Sequence, residues 1–167
     1  MEKSEILTLY DYNYWANQLV LEATADVSSE KFEAPAFTSH GSLRGTLAHI
    51  LGTEIVWRLR CQQGYSPRAV PTGEDFPTLE TLIQRWSEEE KAMRAYLDSL
   101  RENDLSSLVR YTNTKGVAFE NTLWKILIHV VNHGTQFRAE AGVLLNEYGH
   151  SPGDLDLIHY VRQKEPK

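Results

Sequence analysis

The sequence predicts an all-α fold, a four-helix bundle with a short β-hairpin before the last long helix. Apolar residues recur at helical spacing in four long stretches. A brief segment between the third and fourth stretches alternates instead. Segments rich in proline and glycine separate the periodic ones. Four amphipathic helices with little strand bury their apolar faces against one another as a bundle.

The first helix is expected from about Ser4 to Thr24, with Ile6, Leu9, Asn13, Ala16 and Val20 on one stripe. Asn13 interrupts that apolar face, either as a hydrogen-bonded core amide or as a group lining a pocket. Asp26 to Gly41 reads as a loop, broken by Pro35 and Gly41. Ser42 caps the second long helix, whose stripe is Leu43, Leu47, Ile50, Glu54 and Trp57. Three prolines and two glycines make Gly64 to Pro77 a long connection, which admits a crossover in place of simple up-down order.

Thr78 caps the third long helix, and Leu79, Ile83, Trp86, Met93, Leu97 and Leu100 mark its buried face. The run Glu88-Glu89-Glu90-Lys91 reads as a surface facing water, with a polar position tolerated near the seam. Val109 and Tyr111, then Val117 and Phe119, alternate around an Asn113–Gly116 turn and predict the hairpin. Asn121 or Thr122 caps the fourth long helix, which ends near Tyr148. Gly149 is placed for a left-handed C-terminal residue, and Pro152 blocks continuation. The tail, Asp154 to Arg162, carries Leu155, Leu157, Ile158 and Val161. It suits a short helix docked on the bundle or on a second subunit.

The 167 residues suit a single domain over 1–167, with 41% hydrophobic and 24% charged residues as in an ordinary globular protein. A formal net charge of -6 argues against nucleic acid as partner, because phosphate recognition needs a basic surface. It gives no support for an anionic membrane surface either. Neither a leader peptide nor a bilayer-spanning run of ~20 apolar residues is expected. The single cysteine, Cys61, excludes an intramolecular disulfide and fits a reducing, cytoplasmic compartment. It reads as a packed side chain more readily than as a reactive thiol.

The chemistry centres on histidine. His129 and His133 stand four apart, on one face of the fourth long helix, where two imidazoles can share an ion. His49 lies midway along the second and faces His133 if those two helices pack side by side. A buried polar pair is the competing reading. Glu147-x-x-His150 has the form used in di-iron bundles, but it occurs once and Gly149 takes His150 off the helix. Gly-rich phosphate loops, Gly-x-Ser-x-Gly and Cys-x-x-Cys are absent from the sequence. Tyr10, Tyr12, Tyr14 and Trp15 point in different directions on a helix and are best explained by packing.

Several segments together carry a family resemblance. They are Tyr12-Asn13-Tyr14-Trp15-Ala16-Asn17, then Leu47-Ala48-His49-Ile50-Leu51-Gly52-Thr53-Glu54 with Trp57, and then His129-Val130-Val131-Asn132-His133-Gly134-Thr135-Gln136-Phe137-Arg138. Gly149-His150-Ser151-Pro152-Gly153-Asp154-Leu155-Asp156 follows them. Over nearly the whole chain they resemble the DinB/YfiT-like family, and the Asn-His-Gly-Thr segment is the most specific part. The resemblance implies a four-helix bundle that forms a homodimer. It also implies a divalent metal, zinc or nickel, held by three histidines, one from the second long helix and two from the fourth. Some relatives are thiol-dependent isomerases or transferases using low-molecular-weight thiols, and many have no assigned reaction.

His49 matches the first ligand and His133 the second. The third position, four residues later, holds Phe137, whose ring cannot bind a metal. Three outcomes follow. His129 could serve as third ligand; Glu54 could reach the site as a carboxylate; or Phe137 fills the volume as core, on the stripe Ile126, Val130, His133, Phe137, Ala141, Leu144. The leading expectation is an altered metal site on a chain of unassigned reaction. One rival is a working metal-dependent hydrolase or thiol-dependent transferase or isomerase, acting on a small molecule or a thiol. Another is a non-catalytic small-molecule-binding or scaffold protein. With metal bound, Glu54 or Asn13 would orient substrate or take a proton, and Arg138 would pair with a substrate carboxylate. Trp15 and Trp57 would be pocket walls. The competing reading of Arg138 is a surface salt bridge with an acidic neighbour.

Overall fold

A computed structural model describes residues 1–164. Its long helices are α1 (Lys3–Ala25), α3 (Leu43–Gln63), α4 (Leu79–Ser99) and α5 (Leu123–Tyr148), with short helices α2 (Ser29–Glu33) and α6 (Leu157–Lys164). Strands β1 (Leu108–Thr112) and β2 (Ala118–Thr122) pair antiparallel, with Tyr111 opposite Phe119, immediately before α5. The expected all-α bundle and hairpin are therefore present. Among the described residues no helix is long and apolar enough to cross a membrane.

Local chemistry sets the helix ends. Ser42 Oγ accepts from the Gly45 N–H at 2.9 Å, and Thr78 Oγ1 accepts from the Thr81 N–H at 3.2 Å. Thr122 holds the N-cap position of α5, but its hydroxyl makes no capping bond. The first turn is tied instead by the Leu123 N–H, which donates to the Ser107 carbonyl at 2.9 Å. Gly149 ends α5 at φ +86°, where a side chain would be strained.

Helices α4 and α5 each pack against both α1 and α3, so α1 and α3 face each other across the centre. The Gly64–Pro77 connection, which admitted a crossover, makes none: that segment joins the neighbours α3 and α4. Its length serves packing: it folds back on α3, and a Cβ on Gly52 would stand 2.8 Å from the Pro71 carbonyl oxygen. The diagonal steps are made by the segment before α3, which contains α2 rather than loop alone, and by the hairpin before α5.

On α4 the buried face is Leu82, Trp86, Glu89, Met93, Tyr96 and Leu97. Ile83, expected on it, is 39% exposed, because the stripe is centred one residue earlier, on Leu82. Glu89 leaves the expected solvated run altogether and is 0% exposed. Its carboxylate accepts from Arg58 Nη2 at 2.8 Å and from Arg85 Nη2 at 3.2 Å, which offsets the cost of burying the charge. The tail docks on its own bundle. Tyr160 of α6 is buried against Tyr12 and Trp15, and Tyr12 Oη donates to the Leu155 carbonyl at 2.9 Å.

Candidate functional site

The packing of α3 against α5 brings His49 and His133 together, with Nε2 atoms 3.0 Å apart. Thr53, one turn after His49, places Oγ1 3.5 Å from the same His133 nitrogen. Burial pushes the His49 imidazole down to about 4, helped by the neighbouring His40. Burial, with three histidine neighbours, pushes His133 down to about 3. Both rings are therefore neutral at neutral pH and each keeps a nitrogen lone pair.

A third imidazole joins them from the loop before α3. The His40 ring stacks on that of His49, with centroids 3.7 Å apart and an interplanar angle of 21°. Phe137 walls the cluster, with ring-centroid separations of 4.5 Å to His133, 4.6 Å to His49 and 5.2 Å to His40. It belongs at once to this wall and to the apolar core with Ala141 and Leu144.

The two candidate replacements for the missing ligand stand elsewhere. His129 is exposed, with its ring 5.8 Å from that of His133 and 5.4 Å from Trp57. Trp57, His129, Tyr111 and Lys125 line a cleft of about 260 Å³. Glu54 is buried and engaged by α1: Asn13 Nδ2 and Asn17 Nδ2 donate to its Oε1 at 2.8 Å and 3.1 Å. Trp15, the other expected wall, packs on Tyr160, at the α6 contact.

Arg138 closes the network around Glu54. Its Nη1 donates to Asn13 Oδ1 at 2.6 Å and to Asn17 Oδ1 at 2.8 Å, and its Nη2 donates to Thr135 Oγ1 at 3.0 Å. The two asparagines thus bridge a guanidinium and a carboxylate in parallel. Arg138 is 1% exposed, so it forms no surface salt bridge. Burial raises the Glu54 carboxyl to about 7, against the asparagine bonds and the Arg138 charge that hold it down. Glu54 Oε2 and Arg138 Nε have no hydrogen-bond partner among the described residues.

The Asn-His-Gly-Thr segment can now be read residue by residue. His133 meets His49, and Thr135 accepts from Arg138. A Cβ on Gly134 would stand 2.6 Å from Arg138 Nη1 and 2.8 Å from Asn13 Oδ1, so any side chain there would have to displace the network. Such agreement extends over the chain, which matches the DinB family across residues 1–167. The chain belongs to the DinB family. It is similar to Protein DinB of Bacillus subtilis (strain 168), 24% identical over 168 residues that cover 94% of this chain and 95% of that protein.

The DinB resemblance implies a metal, and the donors present fit it in part. Two imidazole nitrogens on one ion, at about 2.0–2.1 Å each, stand about 3.0–3.4 Å apart. The His49 and His133 nitrogens meet that requirement. No group of three or more His, Cys, Asp or Glu among the described residues is arranged to hold an ion. Sequence reasoning missed His40, Asn17, Thr53 and the Arg58–Glu89 pair. Asn17 had a signal, one turn beyond Asn13 on the same face. His40 had none, because a loop residue has no periodicity to place it.

Proposed function

We propose that this DinB-family chain binds a divalent metal ion weakly and exchangeably through His49 and His133, in a site altered by Phe137. The observation that carries this reading is the 3.0 Å separation of the two Nε2 atoms. The neutrality of both rings supports it, since only an unprotonated imidazole binds metal. A bound ion would supply Lewis acidity, lowering the pKa of a water or thiol. The chain's own residues set the surroundings. Phe137 excludes water from one side of the pair, and Thr53 offers a hydroxyl to His133. Glu54 and Arg138 act as positioning residues: their asparagine bridge holds α1 against the two helices that carry the histidines.

A metal-free reading is favoured by a different observation. The same 3.0 Å suits one N–H···N hydrogen bond between neutral rings, beside the aromatic cleft of Trp57, Tyr111 and His129. That arrangement would serve a non-catalytic small-molecule-binding protein. Cobalt titration of protein purified without a metal-binding tag separates the two. Metal binding predicts saturation at one ion per chain, lost in His49→Ala and at least about tenfold tighter in Phe137→His. Absence of saturable binding in the wild type would sink the metal reading and leave the hydrogen-bonded pair.

A further inference from the structure

We infer that the cleft between the β-hairpin and helices α3 and α5 binds a small aromatic carboxylate, with its ring against Trp57 and Tyr111 and its charge at Lys125. This rests on the small-molecule reading above and needs no metal at the histidine pair.

The walls are aromatic and held in place. Trp57 of α3 meets the Tyr111 ring of β1 edge to face, with centroids 4.8 Å apart, and the His129 ring of α5 at 5.4 Å. Phe119, opposite Tyr111 on β2, stacks on it at 5.8 Å. Tyr111 Oη donates to Asn121 Oδ1 at 2.8 Å, which sets the phenol and leaves Asn121 Nδ2 to donate to a ligand. The hairpin is tied twice to the end of α3. Arg60 Nη2 donates to the Thr112 carbonyl at 3.0 Å, and the Thr112 N–H donates to Ser66 Oγ, just after α3, at 3.0 Å. Walls ordered before a ligand arrives lose little freedom on binding. The volume of about 260 Å³ lies below the roughly 300–1,000 Å³ of sites for drug-sized ligands, which suits a single ring.

The electrostatics select an anion. In a chain of formal net charge -6, the residues lining this cleft include no acid. Glu120, beside Asn121 on β2, pairs with Arg110 instead. Lys125 lines the cleft and is exposed; its ammonium rests 5.6 Å from the Trp124 ring and forms no salt bridge among the described residues. Arg60 adds a second positive charge from behind the walls. It is 6% exposed, and its guanidinium lies 4.6 Å from the Trp57 ring centre and 5.1 Å from that of Tyr111. Among the described residues it has no carboxylate partner, and its Nε is buried without a hydrogen bond. A buried cation without a counter-ion is costly. The two aromatic faces relieve part of that cost, and an anion in the cleft beside them relieves more.

The test is an NMR titration of the full chain with benzoate, benzamide and cyclohexanecarboxylate, in the presence of a chelator so that no metal contributes. Benzoate should bind saturably and shift the Trp57 indole N–H and the Tyr111 amide. Benzamide should bind at least about tenfold more weakly, for want of the charge. Cyclohexanecarboxylate should bind about threefold or more weakly, for want of the ring. Lys125→Glu, an exposed change, should weaken benzoate at least about tenfold. Lys115→Glu in the hairpin turn alters net charge equally and should change little, as should His49→Ala. Benzamide as tight as benzoate, or Lys125→Glu no weaker than Lys115→Glu, would overturn the anion assignment and leave the small-molecule reading standing. Loss of benzoate binding in His49→Ala would move the ligand to the histidine pair and overturn the inference. No saturable shift by any probe up to roughly 10 mM would overturn the inference together with the small-molecule reading of this cleft, while the cobalt titration still decides the metal reading.

Discussion

Arg138 Nη1 donates to Asn13 Oδ1 at 2.6 Å, across a gap that the missing side chain of Gly134 keeps open. The bond joins α5 to α1 at a point where both residues are fully buried. It is also the reason a glycine is tolerated in the middle of a long helix, where it is otherwise unfavourable by about 1 kcal/mol relative to alanine.

Gly134→Ala should therefore destabilise, although alanine is the better helix former. The displaced guanidinium loses charge-assisted bonds in a buried place, a loss of about 3 kcal/mol against a propensity gain of about 1. Urea unfolding should show a net loss of about 2 kcal/mol. An alanine variant as stable as the wild type would mean that the network relaxes around the new methyl group.

The buried Glu54 carboxyl gives a pH dependence of definite sign. Its folded value of about 7 lies above its ordinary 4.5, so the folded protein holds this proton more tightly than the unfolded chain does. The resulting stabilisation is complete below the ordinary value and is lost as pH rises through about 7. Asn13, Asn17 and Arg138 face the carboxyl and limit the effect, while Glu89 adds to it. Glu54→Gln cannot titrate. Between pH 5 and pH 8 the wild type should lose stability relative to Glu54→Gln by about 3 kcal/mol at most. Parallel stability curves would show that Glu54 stays ionised throughout.

The two arginines on Glu89 should differ in weight. Arg58 is buried and its guanidinium engages both carboxylate oxygens, whereas Arg85 is half-exposed and donates to one. Arg58→Ala should cost about 3–5 kcal/mol, by leaving a buried charge underpaired. Arg85→Ala should cost about 1 kcal/mol or less. Thermal melts of the two variants check the order, and equal losses would contradict it.

Cys61 should be inert in the native protein. Burial pushes its thiol up to about 12, so almost no thiolate is present at neutral pH. Ellman's reagent should label it slowly without denaturant and rapidly in urea. Fast native labelling would show that the α3 surface around it opens.

The bundle was legible because its signals are periodic and local. Ser42, Thr78 and Gly149 mark helix ends by chemistry that acts within a turn. Asn13 and Glu54 stood out as polar breaks in apolar stripes, yet only the diagonal placement of α1 and α3 joins them. Glu89 was hidden inside a run of charges that resembles a solvated face. Its three- and four-residue spacing from Trp86 and Met93 was the mark of its burial. The meeting of His49 and His133 followed from the expected contact of their helices. His40 did not, because stacking by a loop ring depends on how Ser39 and Gly45 hold the backbone.

The asparagine bridge bears on how the chain is made. Glu54 has no counter-charge in the network until Arg138 has been synthesised, and Asn13 and Arg138 stand 125 positions apart. A nascent chain that has released α1 and α3 from the ribosome still carries a carboxylate it cannot bury in ionised form at low cost. Closing α1 against α3 without α5 would bury the Glu54 carboxylate with no counter-charge, a cost that Arg138 relieves only once the last long helix is in place.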